Sequence, residues 1–161
     1  MKTFRGFGAL GALLDEYEKA INEIIEVVQT IPHHSFTTVL DTETTDPDCV
    51  SFQSILFHVV RSGHGYINYI ASIFGEHYEY KPDQPTSTTE VITALHQLME
   101  STERYVMGKS IIPFDNPVWE KTIITRWNAI YNFEQVMEHA IVHVLRHRRQ
   151  IQKFLLLIET T

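Results

Sequence analysis

Four stretches of this chain repeat apolar residues every three to four positions, and almost nothing in it alternates with the period of a strand. Residues 10–30 place Leu13, Leu14, Tyr17, Ile21, Ile24, Ile25 and Val28 at such steps, with Asp15, Glu16, Lys19 and Glu23 between them. A helix gathers positions spaced this way on one side. Pro32 ends the first pattern, and residues 31–50, rich in Thr and Asp, read as a loop. Residues 51–74 carry the stripe Phe52, Ile55, Val59, Tyr66, Ile70 and Ile73, closed by Gly75 and a polar stretch to Thr89. The third helix opens at Ser87-Thr-Thr-Glu90, the spacing of a capping box, and its inner face is Val91, Leu95, Leu98 and Tyr105. It ends near Gly108. The connection over residues 110–132 holds Pro113, Pro117, Trp119 and Trp127, and its strand-like part, 121–127, reads as a short extended segment. The fourth helix runs over residues 132–158 with Val136, Ala140, Val144, Ile151, Phe154 and Ile158 inward. Four amphipathic helices predict an all-α protein, a four-helix bundle in one domain over residues 1–161. The long connections between helices one and two and between three and four leave simple up-down-up-down order unforced.

Composition agrees. With 161 residues, 43% hydrophobic and 20% charged, the chain is long and apolar enough for a sizeable core. Seven Gly, six Pro and one Cys exclude collagen-like, disordered and disulfide-scaffold classes. Cys49 has no partner for a disulfide or a cysteine-based zinc site, and a reducing cytoplasm is the expected compartment. A net charge of −7 argues against nucleic acid as a partner. The stretch from Met1 to Leu14, with Lys2 and Arg5, reads as the entry to the first helix. Asp15 and Glu16 follow it with no cleavage site of the secretory kind. The run from Phe154 to Ile158 is far short of the ~20 residues of a membrane span, so no membrane partner is expected.

The nine histidines pose the chemical question. In the fourth helix His139, His143 and His147 fall four residues apart, each step turning about 40° around the axis. His143 and His147 are stacked neighbours bracketed by the apolar stripe, and His139 lies at its edge. Two imidazoles aimed into a core need partners, because an unpaired buried polar group costs about 1–3 kcal/mol. A divalent metal satisfies both. A zinc-like site needs at least three protein ligands, so a third must come from another helix. His58 is the best candidate, its alternative being an ordinary boundary histidine. Ser62 and Gly65 on the same side leave room above a metal, and His64 falls on the opposite, solvent face. His33, His34, His77 and His96 read as solvated. No His-Glu-x-x-His, Glu-x-x-His repeat, Gly-rich phosphate loop or Gly-x-Ser-x-Gly elbow occurs.

These residues resemble the DinB/YfiT-like superfamily. The matching segments are His58 with its surroundings and His143-Val-Leu-Arg-His147-Arg148-Arg149-Gln150, and the helix pattern extends the resemblance over essentially the whole chain. It implies a bundle of nonstandard helix order with a divalent metal, often zinc or nickel, held by His58, His143 and His147 at one end. It also implies a homodimer, which no residue pattern predicts. Arg149 departs from the family's frequent glycine there without touching a ligand, and His139 is an extra histidine that would stand behind the ligands.

Some members of the family resemble S-transferases that use a low-molecular-weight thiol. The resemblance thus implies a metal-dependent, thiol-dependent S-transferase acting on a small molecule. Two alternatives stand beside it: a metal-dependent hydrolase, and a non-catalytic, metal-stabilised binding or stress-response module. A further alternative is a metal-free protein whose histidines serve dimer contacts. Tyr66, Tyr69, Trp127 and Tyr131 are candidate pocket walls, though packing is their simpler role. Arg148 is the cation considered for an anionic substrate, against the simpler role of a solvated side chain.

Overall fold

The computed structural model describes residues 4–159, so Met1 and Lys2 of the N-terminal stretch lie outside the described residues. Four helices appear where the periodicity predicts them: α1, Gly8–Val28; α2, Phe52–Ile73; α3, Thr88–Met107; and α4, Phe133–Glu159. Several ends have a local cause. Ser51 caps α2 through a reciprocal pair with Ser54. Gly75, at φ 72°, ends α2 in the left-handed region, where its N–H donates to the Ser72 carbonyl and that of Glu76 to the Ala71 carbonyl. Ser87 accepts from the Glu90 N–H, as expected of a cap. Glu90 does not return the bond to Ser87, however, and instead receives the Thr86 N–H at 2.7 Å.

The apolar stripes of all four helices meet in one contiguous core, with Leu14, Ile24, Ile55, Leu56, Ile70, Leu95, Leu98 and Ile151 fully buried. Among the described residues, no helix is long and apolar enough to cross a membrane.

Helix order follows from the contacts. Both α1 and α2 pack against α3 and against α4, so α1 and α2 occupy opposite corners of the bundle. Arg5, just before α1, donates to Asp15 and Glu18 and to Glu103 near the end of α3, making α1 and α3 antiparallel. Phe52 at the start of α2 meets Phe154 near the end of α4, so this pair is antiparallel too. By contrast, α2 and α3 run parallel. Gln53 donates to the carbonyl of Pro85 just before α3, while Glu76 beyond α2 binds Lys109 beyond α3. The order is therefore up-down-down-up.

A parallel pair of consecutive helices demands a return path. Residues 74–87 supply it as an extended strap, with reach of roughly 45 Å against the roughly 33 Å of α2. The strap overturns one expectation. His64 is not on a solvent face but 3% exposed, because Tyr78 and Tyr80 fold over it. Its Nδ1 lies 2.8 Å from the Tyr78 hydroxyl, and its ring is 4.0 Å from that of Tyr80.

The connection from α3 to α4 holds a hairpin rather than a lone extended segment. Strand β1 (Ile123–Ile124) pairs antiparallel with β2 (Ile130–Tyr131). Its turn is closed by Thr125, which accepts the Ala129 N–H on its hydroxyl and donates its own N–H to the Ala129 carbonyl. The turn docks on α2, where the Arg126 N–H donates to the Tyr69 hydroxyl at 2.9 Å. Short 3-10 turns at His33–Ser35 and Pro47–Cys49 order the loop between α1 and α2. The second of these is what brings Asp48 to α2.

Candidate metal centre

One nitrogen from each of His58, His143 and His147 lies within 4.8 Å of the other two. Antiparallel packing of α2 on α4 brings them together, since residue 58 of one helix stands level with the i, i+4 pair of the other. Ring centroids are 4.9 Å apart for His58 with each partner and 4.5 Å for His143 with His147.

The hydrogen bonds around the triad decide which nitrogens face inward. A carboxylate only accepts, so His58 Nδ1–H donates to Asp48 Oδ2 at 2.9 Å, and Nε2 is left as a lone pair. Arg61 donates to the same oxygen at 2.6 Å. The His147 Nδ1–H donates to Gln150 Oε1 at 3.1 Å, which frees its Nε2 as well. The thiol of Cys49 lies 3.8 Å from that oxygen. Behind a metal ligand, such acceptors fix the tautomer and aim the ring.

His143 has no such support. Its Nε2 is 3.0 Å from His58 Nε2, and its buried Nδ1 has no hydrogen-bond partner among the described residues. If Nε2 carries the proton, Nδ1 is a buried orphan acceptor. If Nδ1 carries it, that N–H is an orphan and two lone pairs face each other. Either tautomer leaves a buried deficit, and a cation among the three rings is the partner that fits bare nitrogens from His58 and His143.

Burial holds His143 and His147 neutral. It pushes His143 down to about 3, with the neighbouring His147 and His58 adding to the effect, and His147 down to about 4. His139 is lowered as well, by burial and then by the charge of Arg146. Neutral imidazole is the form that binds a metal. Among the described residues no fourth His, Cys, Asp or Glu joins the group, so a divalent ion held there would meet three protein ligands.

A chamber of about 790 Å³ adjoins the triad, with His58 and His143 in its wall. Helices α2 and α4 form its floor, the strap one side and the hairpin turn the other. Of the aromatic candidates, Tyr66, Tyr69 and Trp127 line it. Tyr131 instead packs behind, its ring 5.6 Å from that of His139. His139 does not join the triad; its ring stacks 4.9 Å from Trp127 and 6.4 Å from His143. His33, His34, His77 and His96 are exposed, as expected. Arg148 departs from both of its sequence readings. It does not line the chamber and is only partly exposed, pairing with Glu23 of α1 with its Nε buried. The cations in the chamber wall are Arg61, Lys81, Arg126 and Arg146. Asp48 had no local signal, because only loop folding brings it to His58. Gln150 had one in its three-residue offset from His147.

Compared with known proteins, the chain matches no family model, no curated protein and no solved structure. The resemblance stated above therefore stands on the residues quoted for it.

Proposed function

We propose that the chain is a metal-dependent enzyme of the DinB/YfiT-like kind. In this reading His58, His143 and His147 hold a divalent ion, zinc or nickel, and a low-molecular-weight thiol is the nucleophile. The observation that carries it is the pairing of three clustered imidazoles with an adjoining chamber and, among the described residues, no fourth His, Cys, Asp or Glu in the group. A purely structural site uses four protein ligands and no cavity. All-imidazole donors suit zinc and nickel, and the up-down-down-up order supports the family reading.

When bound, such an ion favours the deprotonated form of a thiol at neutral pH. The rest falls to the chain's own groups. Asp48 and Gln150 hold the Nδ1 protons of His58 and His147 and so keep both rings turned inward. Tyr66, whose ring lies 5.5 Å from that of His143, walls the chamber and keeps water from the triad's flank. The thiol sulfur then forms a bond to an electrophilic carbon of the substrate, and the leaving group departs with its bonding electrons. Thiol transfer is favoured over hydrolysis by the poverty of free carboxylates here. Glu79 is the one acid in the chamber wall, and Asp48 is already engaged by His58 and Arg61. A carboxylate general base speeds attack by water, while the ion by itself acidifies a bound water, so the thiol screen below decides between the two.

Metal analysis of the purified protein, then a screen of thiols with an electrophilic acceptor, tests the reading. One equivalent of metal and thiol-dependent turnover are expected, both lost in His143→Ala. Metal stoichiometry unchanged in that variant would refute the ligand assignment, and ester or amide cleavage without thiol would select the hydrolase.

A further inference from the structure

The chamber differs in charge from the chain that builds it. The chain carries −7 overall, yet the chamber wall has four cationic side chains and one acid. Two of the cations are engaged: Arg61 by Asp48 at 2.6 Å and Lys81 by Glu79 at 3.2 Å. Arg126 and Arg146 have no acidic partner within ion-pair distance among the described residues. They come from separate elements, the hairpin turn and α4, and face one space. The positive charge of each is felt at the buried Tyr66 hydroxyl. The same wall is rich in aromatic rings. Trp127 meets Tyr69 edge-on at 5.9 Å and stacks on His139 at 4.9 Å.

Unpaired guanidinium groups inside a concave, partly apolar site concentrate anions against the repulsion of an acidic surface. Their fork geometry suits a carboxylate or a similar oxyanion. We propose that the chamber admits a small organic anion with a flat apolar body, its charged group held between Arg126 and Arg146 and its body lying along Trp127 and Tyr69. The inference deepens the reading of the site given above, and rests on it in taking the chamber for the substrate's. Binding of the anion itself requires no metal.

The test uses two probes of one shape, 2-naphthoate and its neutral counterpart 2-naphthamide, titrated calorimetrically into metal-free protein. Naphthoate binds at least about tenfold tighter, the difference expected of a charge-assisted contact. In the double variant Arg126→Gln/Arg146→Gln the preference falls to within about twofold, while naphthamide binding is unchanged. Both arginines are exposed, so the variant keeps its fold. Equal affinity for the two probes, no binding of either, or a preference that survives the double substitution would overturn the proposal. A zinc titration of the same preparations reads the triad separately. Zinc binding lost with naphthoate preference intact refutes the metal centre alone, and the reverse refutes the anion site alone.

Discussion

At the residue scale, the site's behaviour turns on who holds each imidazole proton. Asp48 fixes His58 across a distance of 2.9 Å, so Asp48→Ala should weaken zinc binding by about 10- to 100-fold. Competition with a chromogenic chelator measures this, and the metal-free melting temperature should barely move, since Asp48 is half-exposed. Gln150→Ala should act in the same direction through His147. Acid sensitivity has a definite sign. His64 and His147 are each pushed down to about 4 by burial in the folded chain, against about 6.5 when unfolded. Between these values the unfolded chain takes up protons that the folded chain refuses. Stability of the metal-free protein should therefore rise with pH from about 4 to about 6.5, by up to about 1.4 kcal/mol per unit for each group, and level off above. Urea melts at pH 7, 6 and 5 check this; a flat profile would mean that the rings are not buried neutral. The triad was legible because helical spacing fixes which residues of one helix share a face. Arg126 and Asp48 were not, because loops and turns carry no period from which a spatial neighbour is read; Arg146 had helical spacing, three residues after His143, but only the folded strap and hairpin turn show that a chamber faces it.

At the element scale, Gly63 of α2 packs directly against Leu98 of α3. A Cβ added there would stand 2.4 Å from Leu98 Cδ2, and Leu98 is fully buried with nowhere to swing. Gly63→Ala should cost about 1–3 kcal/mol by overpacking, and Leu98→Val should recover part of that loss in the double variant. Thermal denaturation of the single and double variants decides it. The four helices were legible to within two or three residues, since each stripe is long and its caps are local. The hairpin was half-legible: Ile123 and Ile124 announce a strand, but Ile130 and Tyr131, two residues in the connection just before α4, are too short a run to show a partner strand. His64 was misplaced because its helix face looks polar by sequence, and the tyrosines that cover it come from the strap.

At the scale of the whole molecule, the triad bridges α2 and α4 and involves residues 85 positions apart in sequence. An ion bound only by the folded chain should raise its stability by about 2.7 kcal/mol when free metal exceeds the dissociation constant a hundredfold. Chelator should reverse the gain, and His147→Ala should abolish it; a melting temperature indifferent to zinc would count against the site. Helix order was the least legible property, because long connections permit several arrangements and only tertiary contacts choose among them. The arrangement chosen has a lasting consequence. The segment that carries the chain back along α2 also walls the chamber, while both helices that bear the ligands lie outside it. Insertions or deletions in that segment can therefore remodel what the chamber accepts and leave the histidines in register, so selectivity and reactivity are free to diverge independently.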